Sequence, residues 1–200
     1  MSKTHLFDLD GKIAFVSGAS RGIGEAIAKL LAQQGAHVIV SSRKIDGCQA
    51  VADAITAEGG KATAIACHIG EMEQIQNVFA QIREQFGRLD ILVNNAAVLA
   101  LGSVEELPLA DFERTLAINV RSVFVATQAA VKHMGDGGRV ISIGSTNSER
   151  MPFAGGATYA MSKSALVGLT KGLARDLGPR GITVNSVAPG YIADTRFFPG

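Results

Sequence analysis

Short apolar runs alternate with longer stretches of helical period along the whole chain. KIAFVSG (12–18) has the continuous apolar character of a buried strand, and GIGEAIAKLLAQQG (22–35) has the period of an amphipathic helix closed by Gly35. HVIVSS (37–42) predicts a second strand, followed by a helix over roughly 46–58. KATAIAC (61–67) predicts a third strand, and EMEQIQNVFAQIREQFG (71–87) a helix with a strong apolar stripe. LDILVNN (89–95) is the fourth strand, and a long helix after Pro108 runs to about His133. GRVISIGS (138–145) is the fifth strand, a helix carrying Tyr159 runs to about Leu177, and GITVNSVAPG (181–190) is the sixth strand. Helices between strands that are apolar on both faces imply a parallel sheet covered on both sides. The expected fold is α/β and doubly wound, with strand order 3-2-1-4-5-6. No repeat, low-complexity tract or linker divides residues 1–200, so one domain is expected.

Composition narrows the function classes. The 19 basic and 18 acidic residues leave a net charge of +1, which gives no electrostatic case for nucleic acid or an anionic membrane surface. Cys48 and Cys67 stand in no metal-ligand or disulfide-framework spacing, so neither a metal site nor a disulfide is expected. The polar start MSKTHLFDLDGK lacks the apolar core of a signal peptide, and Asn94 and Asn95 interrupt the most apolar run, ILVNNAAVLAL. A soluble, cytoplasmic protein is the expectation.

Candidate chemistry begins between the first strand and the first helix, in SGASRGIG (17–24). Gly18, Gly22 and Gly24 meet the needs of a tight turn, close approach to a pyrophosphate, and a helix N-terminus aimed at that anion. A dinucleotide fold that prefers NAD carries an acid at the end of its second strand, to accept from the ribose 2′-hydroxyl. This chain has SSRK there, with no carboxylate before Asp46, which is expected to cap the next helix. Arg43, with Arg21 in the glycine loop, would instead pair with a 2′-phosphate, so NADP(H) is the expected cofactor. In TYAMSK (158–163), Tyr159 and Lys163 lie one helical turn apart, a phenol beside an ammonium. Alone, that pair also fits an ordinary surface contact.

With those residues assembled, the sequence resembles the classical short-chain dehydrogenase/reductase (SDR) family, a Rossmann fold, over essentially its whole length. The resemblance rests on the glycine motif, NNAA (94–97), Asn119 in INV, a serine after the fifth strand, Tyr159 and Lys163, and PGYIADT (189–195). The N-terminal half is similar to bacterial carbonyl reductases. Gly138 to Gly190 is also similar to a cyclic-di-GMP-binding biofilm-dispersal member. The resemblance implies that Tyr159 is the general acid/base, that Lys163 lowers its pKa and holds the nicotinamide ribose, and that Ser145 hydrogen-bonds the substrate oxygen. Ser142, Thr146 and Ser148 are rivals for the serine role. A phenol titrates near ~10, so a neighbouring cation is expected to bring it toward neutrality. The resemblance makes Asn119 hold a water that links Lys163 to solvent; the residue could equally satisfy a buried backbone group. It sets the cofactor against Gly18, Ser20, Arg21, Gly22, Ile23 and Gly24, against Ser42, Arg43, His68 and Ile69, and against Asn95, Ala96 and Ala97. Pro189, Gly190, Ile192 and Thr195 are set beside the nicotinamide and phosphates, with Tyr159 and Lys163 completing the list.

Departures from the family pattern are few. Ser17 replaces a usual threonine and keeps the hydroxyl, and Ala97 replaces a usual glycine. His68 stands where an aspartate commonly meets the adenine amino group, and a neutral imidazole can accept that bond or stack. The sequence ends at DTRFFPG, where family members continue into lid helices and a seventh strand, so a platform lacking most of the substrate cover is expected. The implied function is NADP(H)-dependent reduction of a ketone, 3-oxoacyl compounds included, by a homo-oligomer (dimer or tetramer). A non-redox cyclic-dinucleotide sensor and a catalytically impaired short form are the alternatives. ERMPFAGGA (149–157) supplies an apolar wall beside Tyr159, with Arg150 as its one charged anchor for an acidic substrate.

Overall fold

The computed structural model describes residues 7–193. Six strands form one parallel sheet: β1 (Ile13–Ser17), β2 (His37–Ser42), β3 (Lys61–Ala66), β4 (Ile91–Asn94), β5 (Arg139–Ile143) and β6 (Thr183–Val187). The order is β3-β2-β1-β4-β5-β6, as the sequence pattern predicts. The connecting helices are α1 (Gly22–Gln33), α2 (Ile45–Ala57), α3 (Met72–Phe86), α4 (Leu109–Leu116), α5 (Ser122–Ala130) and α6 (Ala157–Leu177).

Strand alternation divides the apolar runs between two cores. Phe15, Ile39, Leu92 and Val140 face α3, α5 and the end of α6, and Phe15 meets Phe79 with ring centroids 5.1 Å apart. Ala14, Val16, Val38, Val40 and Val93 face α1 and α2, where Ala28, Ala32, Val51 and Ile55 complete the packing. Small residues on α1 let that helix lie close to the strands. Near the amino ends of the central strands, Asp90 accepts from the Ile13 N–H at 2.9 Å and pairs with Lys12 and Arg88.

Two local expectations change. The long helix after Pro108 is not continuous, because Ala117–Arg121 form one π-helical turn between α4 and α5, the kind of widened turn that concentrates at functional sites. Asp46 does not cap α2: Lys44 occupies that position, and the carboxylate stands in the first turn, where it still favours the helix dipole.

Order reverses between β1 and β4, whose carboxyl ends diverge to leave a crevice. The Ser17 hydroxyl ties that junction. It accepts from the Asn95 and Ala96 N–H groups at 3.0 and 3.1 Å and donates to the Val93 carbonyl at 3.3 Å. The Asn95 amide returns to the Ser17 and Gly18 carbonyls at 2.9 and 3.2 Å. Ser17→Ala is therefore expected to lower stability by about 1–3 kcal/mol in urea unfolding, since it strands two backbone donors, whereas Ser17→Thr keeps the hydroxyl and stays near wild type.

Candidate active site

The carboxyl ends of β1, β2, β4 and β5 open into one cleft of about 1000 Å³. At one end the glycine loop fits closely under β4. Gly18 has φ +66°, and a Cβ there would lie 2.9 Å from the Ala96 Cα. A Cβ on Gly24 would come within 2.5 Å of both the Asn95 amide and the Gly18 carbonyl, so only glycine lets α1 start this near the strand. The loop is fixed on its other side by the Ala19 N–H donating to the Ser41 carbonyl at 3.0 Å. Arg21, Arg43 and Lys44 are exposed and line the cleft here together with Asp46. A bare glycine surface at a helix N-terminus, flanked by three cations, fits a pyrophosphate with an additional phosphate nearby. The residues present thus fit a phosphorylated dinucleotide.

His68 lies between that end and the centre. Its backbone N–H donates to the Gln74 Oε1 at 2.7 Å, and its ring Nδ1 accepts from the Gly70 N–H at 3.2 Å. This assigns the neutral ring its proton on Nε2. Of the two expectations for His68, the Gly70 N–H occupying Nδ1 favours stacking on adenine over accepting from its amino group.

The other end of the cleft forms around α6. Tyr159 and Lys163 are both buried in the helix's first two turns, with the Lys163 ammonium 5.8 Å from the centre of the phenol ring. Lys163 is only 3% exposed, and its Nζ donates to the Ile143 carbonyl at the end of β5 at 2.7 Å. Burial pushes its pKa down to about 8. Ser145 follows β5 and hydrogen-bonds Tyr159. Its Oγ also accepts from the Asn147 N–H at 3.1 Å, which leaves the hydroxyl proton to donate elsewhere. Of the three rivals, Ser142 lies within β5 and outside the cleft lining, the Ser148 hydroxyl donates to the Ser145 carbonyl at 2.7 Å, and Thr146 lines the cleft beside Ser145.

The expected lowering of the Tyr159 pKa is not the net effect in this structure. Burial raises it, and the Ser145 hydrogen bond opposes that rise without overcoming it. Spacing alone could not show how far the phenol is withdrawn from water.

Asn119 is 1% exposed and does not line the cleft. From the π-helical turn its amide accepts from the Val98 N–H and donates to the Val98 carbonyl, both at 2.9 Å, and donates to the Ser162 hydroxyl at 3.0 Å. Ser162 in turn donates to the Tyr159 carbonyl at 2.7 Å. The side chain thus satisfies buried backbone, as one of the two sequence readings held, and joins the loop after β4 to the Tyr159 helix. Sequence reasoning missed Ser162, Val98 and Asn147; the serine within TYAMSK was the one visible hint.

Ser20, Gly22, Ile23, Ser42, Ile69, Asn95, Ala97, Pro189, Gly190 and Ile192 line the same cleft, alongside Gly18, Arg21, Gly24, Arg43, His68, Ala96, Ser145, Tyr159 and Lys163. Thr195 lies outside the described residues.

The short chain dehydrogenase family model matches residues 12–199, and the chain belongs to that family. A short-chain dehydrogenase/reductase from Serratia marcescens superposes with a TM-score of 0.92 at 59% identity, over 96% of this chain and 78% of its own. A short chain dehydrogenase from Burkholderia cenocepacia, solved in complex with NADP, gives a TM-score of 0.91 at 50% identity over the same shares. The 3-oxoacyl-[acyl-carrier-protein] reductase of Escherichia coli is 40% identical over 187 residues, 92% of this chain and 75% of its own length. The protein is an oxidoreductase of this family.

The Lys163 value lies below the 10.5 of a free lysine, so between about pH 8 and that value the folded protein binds fewer protons than the unfolded chain. Folding stability therefore rises with pH across that window, and the buried charge destabilises the fold below it. Lys163→Met is expected to stabilise the protein at pH 7, on the order of 2 kcal/mol after the lost bond to Ile143, with the gain shrinking by pH 10. Urea unfolding of both proteins at the two pH values measures this.

Proposed function

We propose that this protein is an NADP(H)-dependent oxidoreductase that reduces a ketone, 3-oxoacyl compounds included, to a secondary alcohol, with Tyr159 as general acid/base. The observation that carries the reading is one continuous cleft with Arg21, Arg43 and Lys44 at one end and Ser145, Tyr159 and Lys163 at the other. The NADP complex of the Burkholderia cenocepacia relative supports the cofactor assignment.

The bound cofactor supplies a hydride to the carbonyl carbon. Tyr159 gives its phenolic proton to the carbonyl oxygen, so hydride and proton together complete the alcohol. Ser145, oriented by the Asn147 N–H, donates to that oxygen as negative charge builds on it. Lys163 stabilises the phenolate left behind, which offsets the burial that holds the Tyr159 pKa up. The same ammonium would hold the ribose hydroxyls of the nicotinamide, and Arg43 and Arg21 would take the 2′-phosphate. In the oxidative direction each transfer reverses.

Residues 1–200 act in this reading as one cofactor-binding domain of a cytoplasmic homo-oligomer. The half-exposed Phe124 on α5 and Met161 on α6 support the assembly. No helix among the described residues is long and apolar enough to cross a membrane.

Tyr159→Phe is expected to lower turnover of a reducible ketone by about 10²–10⁴ while NADPH binding, followed by nicotinamide fluorescence, stays at the wild-type level. Arg43→Ala is the paired control: it should weaken NADPH by roughly tenfold or more and leave NADH unchanged. Retained turnover in Tyr159→Phe would sink the catalytic assignment. A biological effect that survived that substitution while turnover was lost would belong to ligand binding, as in the cyclic-dinucleotide alternative.

A further inference from the structure

Beyond Tyr159 the cleft is walled by two loops, 95–108 and 149–156, that meet through their backbones. The Gly102 N–H donates to the Gly155 carbonyl at 2.9 Å. Gly155 has φ +80°, and a Cβ there would lie 3.4 Å from the Gly102 backbone, so the walls join where neither carries a side chain. The two sides are therefore held together as one preformed surface.

The side chains that these loops contribute beyond Asn95 are apolar, while Thr146, Asn147 and Tyr191 line the same cleft. Val98 and Leu99 line the cleft from the first loop, and Pro152 and Phe153 from the second. Phe153 keeps 40% of its surface exposed, as an aromatic ring does at the mouth of an apolar site. Charge is segregated to the far end. Among the described residues, Arg21, Arg43, Lys44 and Asp46 belong to the glycine loop and the β2–α2 junction, and Lys163 is buried against Ile143. Glu149 and Arg150 are exposed and lie outside the lining, so the charged anchor expected of Arg150 is not part of this wall. A carboxylate brought against the wall would lose water and gain no exposed counter-ion from the described residues of the two loops.

Resting on the reductase reading, we infer that the substrate is an uncharged ketone with an apolar aryl or alkyl substituent, and that the wall discriminates against oxo acids. Phe153 and Pro152 bear the substituent while Ser145 and Tyr159 hold the carbonyl oxygen.

Methyl 4-acetylbenzoate and 4-acetylbenzoate share ring and carbonyl and differ in charge. Their dissociation constants are measured on Tyr159→Phe saturated with NADPH, where binding is read without turnover. The ester is expected to bind about tenfold or more tightly than the acid. Phe153→Arg in the same background should tighten the acid and narrow the ratio, with its NADPH affinity reporting that the variant is folded. If that variant fails to fold, the ratio in the Tyr159→Phe background decides. Equal affinities, a preference for the acid, or binding of neither probe overturns the inference. The reductase reading is judged separately, by whether any ketone is turned over in a Tyr159-dependent way. An oxo acid reduced as efficiently as its ester would leave that reading standing and this inference refuted.

Discussion

A charged lysine held out of water is the constraint on which the site depends. Lys163 is almost wholly buried, where its ammonium donates to the Ile143 carbonyl and lies 5.8 Å from the centre of the Tyr159 ring. Burial of this kind disfavours the ammonium, and its pKa falls to about 8 as a result. A fold selected only for stability would place an apolar side chain there. What the charge contributes is position: it lies within about one helical turn of Tyr159, in a low-dielectric setting where, under the proposed mechanism, it would act on a developing phenolate. In the proposed reaction, that influence is needed because the same burial raises the phenol's pKa.

The surrounding architecture holds that group and its neighbours in place from three directions. β5 supplies the Ile143 carbonyl and, just beyond its end, Ser145. The π-helical turn presents Asn119, whose amide grips both backbone groups of Val98 and reaches Ser162, and Ser162 is bonded to Tyr159's own carbonyl. At the β1–β4 crevice, the Ser17 hydroxyl and the Asn95 amide lock the glycine loop to the loop after β4. The glycine-loop and Tyr159 ends of the cleft are thus linked through a chain of hydrogen-bonded polar groups. Among the described residues, no buried side-chain nitrogen or oxygen lacks a partner.

The sheet was legible in the sequence because its strands are buried on both faces and read as nearly unbroken apolar runs separated by periodic helices. The ends of the elements were less so. The fourth strand spans Ile91–Asn94 and the sixth Thr183–Val187, shorter than the apolar runs that predicted them, although the Asp90 N–H still donates to the Ile13 carbonyl and the Pro189 carbonyl still accepts from the Thr146 N–H. The break in the helix after Pro108 left no trace in periodicity, because a single π-helical turn shifts the register without changing composition. The glycine loop and the pairing of Tyr159 with Lys163 were readable from spacing, because each depends on local geometry. The direction of the Tyr159 shift, the tautomer of His68 and the grip of Asn119 on Val98 depend on contacts between distant segments. No local pattern carries them.

The proposed reaction moves a hydride from the cofactor to a carbonyl carbon. Incubating the protein with NADPH deuterated at the transferable position, together with a panel of uncharged ketones and a 3-oxoacyl thioester, tests it directly by mass spectrometry of the products. The account predicts an alcohol carrying one deuterium on its carbinol carbon. Tight NADPH binding with no deuterated alcohol from any member of the panel would contradict it.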